Sequence, residues 1–341
     1  MDRVRLGVIG CGRFCTSAIF PVLHLAPIAL QAVCDMDEAK AQTAATAFGA
    51  PRWYGDHHRM LDAEQLDAVI VVIGPQAYPA LAVELMRRGL HVYVEKPPAR
   101  TSAEAAEMLR VSRETGRLCS VGFMKRFATG YRMARAISQT PEFGPVTFVE
   151  AKLTYGNFVP TWVERLTPNA FLLDHSIHHL DLIQHLAGPV DRVSTELADR
   201  GEGRLAFAVS LRFRSGAVGT LHLSSLESRG HPTERLHLVG VGQSVFVDNL
   251  LQVTHYRNAP LAGPERVLDL QRDAIRWEPN LTLPFIENSS LAHLGYVGEI
   301  QEFARAILGQ GGGPPDIADG LAAIRLAEAI ESSKGHTIAV A

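Results

Sequence analysis

Over the first third of the chain, apolar runs of strand length alternate with stretches that are apolar at helical spacing. "RVRLGVIG" (3–10), "LQAVCD" (30–35), "LDAVIVVIG" (66–74), "LHVYVE" (90–95) and "RLCSVGF" (117–123) read as strands. The third is hydrophobic on both faces, as suits a parallel sheet covered by helices. Between them, 13–25, 37–48, 78–89 and 101–116 read as helices. Pro21 must shape or kink the first, Gly49 ends the second, and Thr101 with Glu104 opens the last as a capping box does. Strands separated by helices of ~10–15 residues predict βαβ units and a doubly wound sheet.

After about residue 125 the rhythm changes. The stretches 146–155, 192–199, 204–213, 217–226, 233–241 and 243–249 alternate like strands, several separated by Gly-bearing turns. Helical patterns cover 169–187, 296–309 and 316–333. The pattern predicts an α/β chain of two domains. Residues 1–124 form a doubly wound parallel sheet, and 125–341 an α+β domain with a large, mostly antiparallel open sheet. The alternation in "RLAFAVSLRF" and "AVGTLHLSSL" leaves two uses open, covering helices of the same chain or meeting another subunit.

Composition narrows the function. The 341 residues are 47% hydrophobic and 20% charged, ordinary for a globular protein. A net charge of −3 gives no electrostatic case for nucleic acid or an anionic membrane. No apolar run reaches the ~18 residues of a membrane span, and "MDRVRLGVIG" lacks a secretory h-region. Cys11, Cys15, Cys34 and Cys119 lack CxxC spacing and read as reduced, mostly buried thiols. These features point to a soluble cytoplasmic protein.

Three places carry candidate chemistry. Gly10-x-Gly12-x-x-Cys15 follows the first strand and opens a helix. The first glycine permits a tight turn, the second lets the backbone approach a pyrophosphate, and the helix N-terminus supplies donors. The next strand ends in Asp35, a little beyond the ~20 residues usual for a carboxylate that accepts from ribose hydroxyls. Asp35 would repel the 2′-phosphate of NADP, so NAD is the expected cofactor. Arg13 and Phe14 beside the turn, Gly74 and Pro75 at a later strand end, and Glu95 are further cofactor-side candidates.

The second place is "HVYVEKPPAR", where Lys96 lies just past the end of a strand. Open α/β sheets bind ligands outside such ends. Pro97 restricts Lys96 to extended geometry, so the prolines aim the lysine. The third is "LLDHSIHHLDLIQHLAG", which sets Asp174 and His178 at i and i+4 on one helix face. A carboxylate one turn before an imidazole can orient the ring as an acid or base. His175 and His179 share the same spacing and, with Asp174 or Asp181, form a rival metal set. No second ligand cluster supports it, and no metal is expected.

These pieces, in this order, resemble the glucose–fructose oxidoreductase / inositol dehydrogenase (Gfo/Idh/MocA) family over nearly the whole chain. The resemblance rests on "GVIGCGRF", "LQAVCDMDEAKA", "LDAVIVVIGP", "GLHVYVEKPPARTSAEAAEML", "VGFMKRFATGY", "DHSIHHLDLIQHLAG" and "DGLAAIRLAEAIESSKG". It implies a Rossmann domain followed by a domain for substrate binding and oligomerisation. It matches Lys96 to the lysine that hydrogen-bonds the reacting oxygen, His178 to the general acid/base, Asp174 to its acidic partner and Asp35 to the ribose acid. Met124, Lys125 and Asn157 fall where such proteins place substrate- or cofactor-adjacent side chains. Three departures stand out: Cys15 at the third glycine position, Tyr78–Pro79 where a histidine is usual, and His175–Ser176 inside the D-x-x-x-H segment.

The activity implied is hydride transfer between NAD(H) and a secondary alcohol or ketone of a sugar, cyclitol or derivative, by a homodimer or homotetramer. Two alternatives use the same fold: a non-catalytic NAD-binding regulator, and a glycosidase- or lyase-like enzyme that recycles NAD within each turnover.

Overall fold

The computed structural model describes residues 3–156, 158–227, 233–257, 274–283 and 285–340. Its contacts divide the chain into two compact units, Met1–Met124 with Gly295–Arg325, and Lys125–Leu294 with Leu326–Ala341. A single cut after residue 124 therefore does not separate them, because the segment from Gly295 to Arg325 belongs with the first.

The first unit holds a six-stranded sheet of β1 (Val4–Ile9), β2 (Ile28–Cys34), β3 (Arg52–Tyr54), β4 (Ala68–Val71), β5 (His91–Val94) and β6 (Cys119–Val121), ordered β3-β2-β1-β4-β5-β6. Every pair is parallel. The order reverses between β1 and β4, so the crevice at their carboxyl ends is the switch point of a doubly wound sheet. All four residues of β4 are buried, which is why that stretch is apolar on both faces. Local signals fix the helices. Asp37 caps Glu38–Phe48, and Gly49 ends it in the left-handed region at φ 74°. Thr101 and Glu104 close a reciprocal capping box on Ser102–Thr115. Beyond β6, the Ser120 hydroxyl and the Val121 N–H both donate to the Pro315 carbonyl, so the "GGPPD" segment docks on that strand.

The second unit holds a nine-stranded sheet. Its strands are β7 (Phe148–Thr154), β8 (Val190–Asp199), β9 (Leu205–Phe213), β10 (Val218–Ser224), β11 (Glu234–Val239), β12 (Ser244–Asp248), β13 (Gln252–Tyr256), β14 (Ala274–Trp277) and β15 (Ile338–Ala339). They are ordered β14-β13-β12-β11-β7-β10-β9-β8-β15, with β7 and β10 parallel and the other described pairs antiparallel. The alternation in β9 resolves in favour of the chain's own core. Leu205, Phe207, Val209, Leu211 and Phe213 are all buried, and Phe207 stacks on Phe171 at 5.7 Å. The opposite face is mixed: Ala208, Ser210 and Arg212 are exposed, Arg235 pairs with Asp248, and His237 stacks on Phe246.

Among the described residues no helix is long and apolar enough to cross a membrane. All four cysteines are free and buried.

Candidate active site

The glycine turn is built as its spacing predicts. Gly10 leaves β1 at φ 98°, and a Cβ there would lie 2.1 Å from the Val72 carbonyl oxygen, so only glycine fits. A Cβ on Gly12 would meet nothing within 4 Å. The backbone there faces open space, as a turn that must admit a pyrophosphate requires. The helix that follows passes through a π segment, Cys15–Ile19, in which the Phe20 N–H reaches back to the Cys15 carbonyl. This wider turn stands just before Pro21, where an α-helical carbonyl would collide with the ring. Cys15, at the third fingerprint position, is fully buried, and burial raises its thiol well above the ordinary range.

Asp35 closes the turn from the end of β2. Its Oδ2 accepts from the Cys11 N–H at 2.8 Å and its Oδ1 from the Asp37 N–H at 2.9 Å, while the carboxylate stays half-buried. Arg13 and Phe14 are exposed, and Phe14 meets the edge of Tyr296 at 6.1 Å. Gly74 adopts φ 137° and its carbonyl accepts from Ala77 and Tyr78. Pro75 is buried. Tyr78 opens the helix Tyr78–Arg87 and is 3% exposed, its phenol pushed up by burial and then by the charge of Glu95. The structure thus turns inward the residue that stands where a histidine is usual.

At the end of β5, every residue from Val92 to Ala99 is buried except Lys96, which is half-buried. The Lys96–Pro97 bond is cis. Pro98 packs so closely on the helix Ile317–Ser333 that a Cβ on Gly320 would lie 2.9 Å from its Cγ. The prolines are therefore clamped in the first unit, and Lys96 alone in this turn is half-buried. Glu95 is turned inward: its Oε1 accepts from the Tyr93 hydroxyl at 2.9 Å and its Oε2 from the Lys96 N–H at 3.1 Å. Burial pushes its carboxyl up to about 7, against the opposing charge of Lys96.

In the second unit the D-x-x-x-H segment starts in a π stretch, Phe171–Ser176, and continues as the α-helix Ile177–Ala187. From Ala170 to Ile183 every residue is buried except Asp174 and His178. Trp162 donates its indole N–H to Asp174 Oδ1 at 3.3 Å. His175 sits among the rings of Tyr155, Phe158 and Phe171 at 4.8, 5.8 and 5.2 Å, with Nε2 3.8 Å from Asp174 Oδ2. Trp162 is a partner of Asp174 that sequence reasoning missed, since nothing in its spacing ties it to Asp174.

The remaining candidates have other partners. Met124 is 8% exposed, and Lys125 is buried in an ion pair with Glu234, which also accepts from the Tyr131 hydroxyl at 2.5 Å. Lys125 is thus drawn into the core of its unit. Asn157 lies outside the described residues. Asp181 accepts two bonds from Arg126, at 2.8 and 2.5 Å, and His179 Nε2 lies 3.7 Å from Glu234. Asp181 is thereby engaged by Arg126. Among the described residues, the one group with ligand atoms close enough for a cation is His57, His58 and Glu84, where Arg88 also pairs with the carboxylate.

The model of the oxidoreductase family with an NAD-binding Rossmann fold matches residues 4–123, and that of its C-terminal alpha/beta domain matches 137–340. The chain belongs to this Gfo/Idh/MocA oxidoreductase family. Among curated relatives, myo-inositol 2-dehydrogenase of Thermotoga maritima is 24% identical over 260 residues, 74% of this chain and 77% of that protein. scyllo-Inositol 2-dehydrogenase (NAD(+)) of Bacillus subtilis is 26% identical over 263 residues, 73% of this chain and 75% of its own. Among solved structures, a dehydrogenase from Chromobacterium violaceum matches with a TM-score of 0.86 at 25% identity, over 98% of this chain and 96% of that one. The family's NAD-binding domain coincides with the sheet that carries the open Gly12 turn and Asp35.

Proposed function

We propose that this Gfo/Idh/MocA oxidoreductase is an NAD(H)-dependent dehydrogenase acting on a ring CH–OH group of a cyclitol, sugar or sugar derivative. One observation carries the reading: the buried helix around residues 170–183 surfaces only at a carboxylate and an imidazole. A structural helix has no need of that pair there.

Gly10, Gly12 and the following helix start would hold the pyrophosphate, and Asp35 the adenosine ribose, with NAD favoured over NADP by the carboxylate's charge. Bound NAD supplies a hydride acceptor. His178 takes the proton of the substrate hydroxyl, and Asp174, held by Trp162, orients the ring. Lys96 stabilises charge developing on the substrate oxygen. Each such contribution is worth roughly 2.7–4 kcal/mol or more in the barrier. Glu95 and Lys125 serve as buried supports, and Asn157 completes the proposed substrate side.

In this reading the unit of Met1–Met124 with Gly295–Arg325 supplies cofactor binding, and that of Lys125–Leu294 with Leu326–Ala341 substrate binding and subunit contact. A second copy covers the mixed outer face of the nine-stranded sheet, giving a homodimer or homotetramer. Four free thiols suit a cytoplasmic setting. The test is to mix the protein with NAD and a panel of cyclitols and sugars. Stoichiometric NADH with a keto product supports the dehydrogenase, whereas a cleaved product without NADH, or no turnover of any ring polyol, refutes it.

A further inference from the structure

The hydroxyl of Tyr93 lies between two buried carboxyl groups, 2.9 Å from Oε1 of Glu95 and 3.0 Å from Oε2 of Glu299. Tyr93 and Glu299 are fully buried and Glu95 is 5% exposed. A phenol has one proton to donate. With both carboxyls ionised, one of these two contacts would press a negative oxygen against a lone pair, without a proton and away from water. One carboxyl must therefore carry a proton and donate it to the Tyr93 oxygen, while Tyr93 donates to the other.

The fold makes room for this arrangement. A Cβ on Gly122 would come within 2.7 Å of the Tyr93 hydroxyl and 2.9 Å of Glu95. Glu299 arrives on the helix Tyr296–Ile307, whose Phe303, one turn on, packs edge-on against Tyr93 at 5.7 Å. Of the titratable groups that face Glu95, Lys96 favours its ionised form, while burial above all holds Tyr78 and Cys15 neutral.

We propose that Tyr93, Glu95 and Glu299 are a positioning triad that holds one shared proton at neutral pH and fixes the backbone from which Lys96 leaves β5. Its functional half rests on the role proposed for Lys96. Burial pushes the Glu95 carboxyl up to about 7 from its ordinary 4.5, as proton sharing requires. A raised carboxyl pKa stabilises the folded state fully below the unfolded value, and that stability is lost as pH rises through the folded value. The triad thus loosens with the loss of its proton above neutral pH.

Infrared difference spectra of the full chain between pH 6 and pH 9 read the C=O stretch of a protonated carboxylic acid. The wild type is expected to show that band at pH 6 and lose it by pH 9, and Glu95→Gln and Glu299→Gln each to abolish it. The amide of Glu299→Gln donates to Tyr93 without titrating, so the Tm of this variant should gain on the wild type as pH rises from 4.5 to about 7 and keep that lead at pH 8. Glu299→Ala should lower kcat for the polyol about tenfold, the effect of one lost hydrogen bond, with Glu299→Gln recovering most of it and KM for NAD unmoved. No band in the wild type at pH 6, or a band that survives both Gln substitutions, overturns the triad. A Lys96→Ala variant with full turnover removes the functional half alone and leaves the infrared result standing.

Discussion

The indole N–H of Trp162 donates to Oδ1 of Asp174, so the carboxylate that precedes His178 by one turn is held from a loop 12 residues earlier. Trp162→Phe keeps the ring and deletes the donor. A hydrogen bond to a charged group is worth roughly 1.5–3 kcal/mol, so kcat is expected to fall about tenfold to a hundredfold. KM for NAD and Tm should change little. An unchanged kcat in steady-state assays with the turned-over polyol would remove Trp162 from the site.

The two fingerprint glycines separate folding from binding. At Gly10 an added Cβ meets backbone at 2.1 Å on a left-handed residue, whereas at Gly12 it meets nothing. Gly10→Ala should therefore lower Tm sharply. Gly12→Ala should keep Tm and weaken NADH binding at least tenfold, because the methyl occupies the path of the pyrophosphate. Fluorescence titration of both variants alongside thermal melts checks the contrast, and equal NADH affinity in Gly12→Ala and wild type would contradict it.

Asp35 holds the turn through the Cys11 N–H, and the same carboxylate is the one proposed to accept from the ribose. Asp35→Ala is expected to weaken NAD binding and to bring NADP to within about tenfold of it, since repulsion of a phosphate dianion is removed. Binding titrations of both nucleotides at low and high salt measure this. A wild-type protein that already prefers NADP would overturn the assignment.

Acid stability tests the buried polar cluster of the second unit. Burial, and then the charge of Lys125, pushes the His179 ring down to about 3, with Glu234 opposing. The unfolded ring takes its proton near 6.5, so the unfolded state binds protons first as pH falls. Stability that is complete above pH 6.5 is lost as pH drops toward 3, at up to about 1.4 kcal/mol per pH unit. The raised carboxyl of Glu95 contributes a trend of opposite sign between 4.5 and about 7. His179→Gln should abolish the histidine contribution, so that the urea midpoint of the variant rises relative to the wild type as pH falls from 6.5 to 5. Identical slopes in variant and wild type would contradict it.

Much of the architecture was legible in the sequence because the signals are local. The apolar run through Ala68–Val71, the capping box at Thr101 and Glu104, and the alternation of Leu205–Phe213 each follow from neighbours a few residues apart. The edge strands Arg52–Tyr54 and Ile338–Ala339 are too short to leave a period. The two π stretches, Cys15–Ile19 and Phe171–Ser176, lie at the glycine turn and at Asp174, and no residue type announces them.

The local setting of the candidates was legible where backbone geometry or helical spacing dictates it, as for Gly10 in its tight turn and for Asp174 and His178 on one side of a buried helix. It was not where a distant partner decides a side chain's direction. Glu95 turns inward to Tyr93, which also meets Glu299 from 206 positions away, and Lys125 turns inward to Glu234 from 109. Sequence alone cannot distinguish such carboxylates and ammoniums from ligand-binding ones, because their partners converge only in the folded sheet.

The most direct test of the central claim is single-turnover formation of NADH, with the cyclitol or sugar that the wild type oxidises, in wild type, Lys96→Ala and His178→Ala. Removal of a proton-transfer or electrostatic group should slow hydride transfer by roughly 10²–10⁴-fold in each variant, while NAD titrates with wild-type affinity. Wild-type rates in both variants would contradict the account.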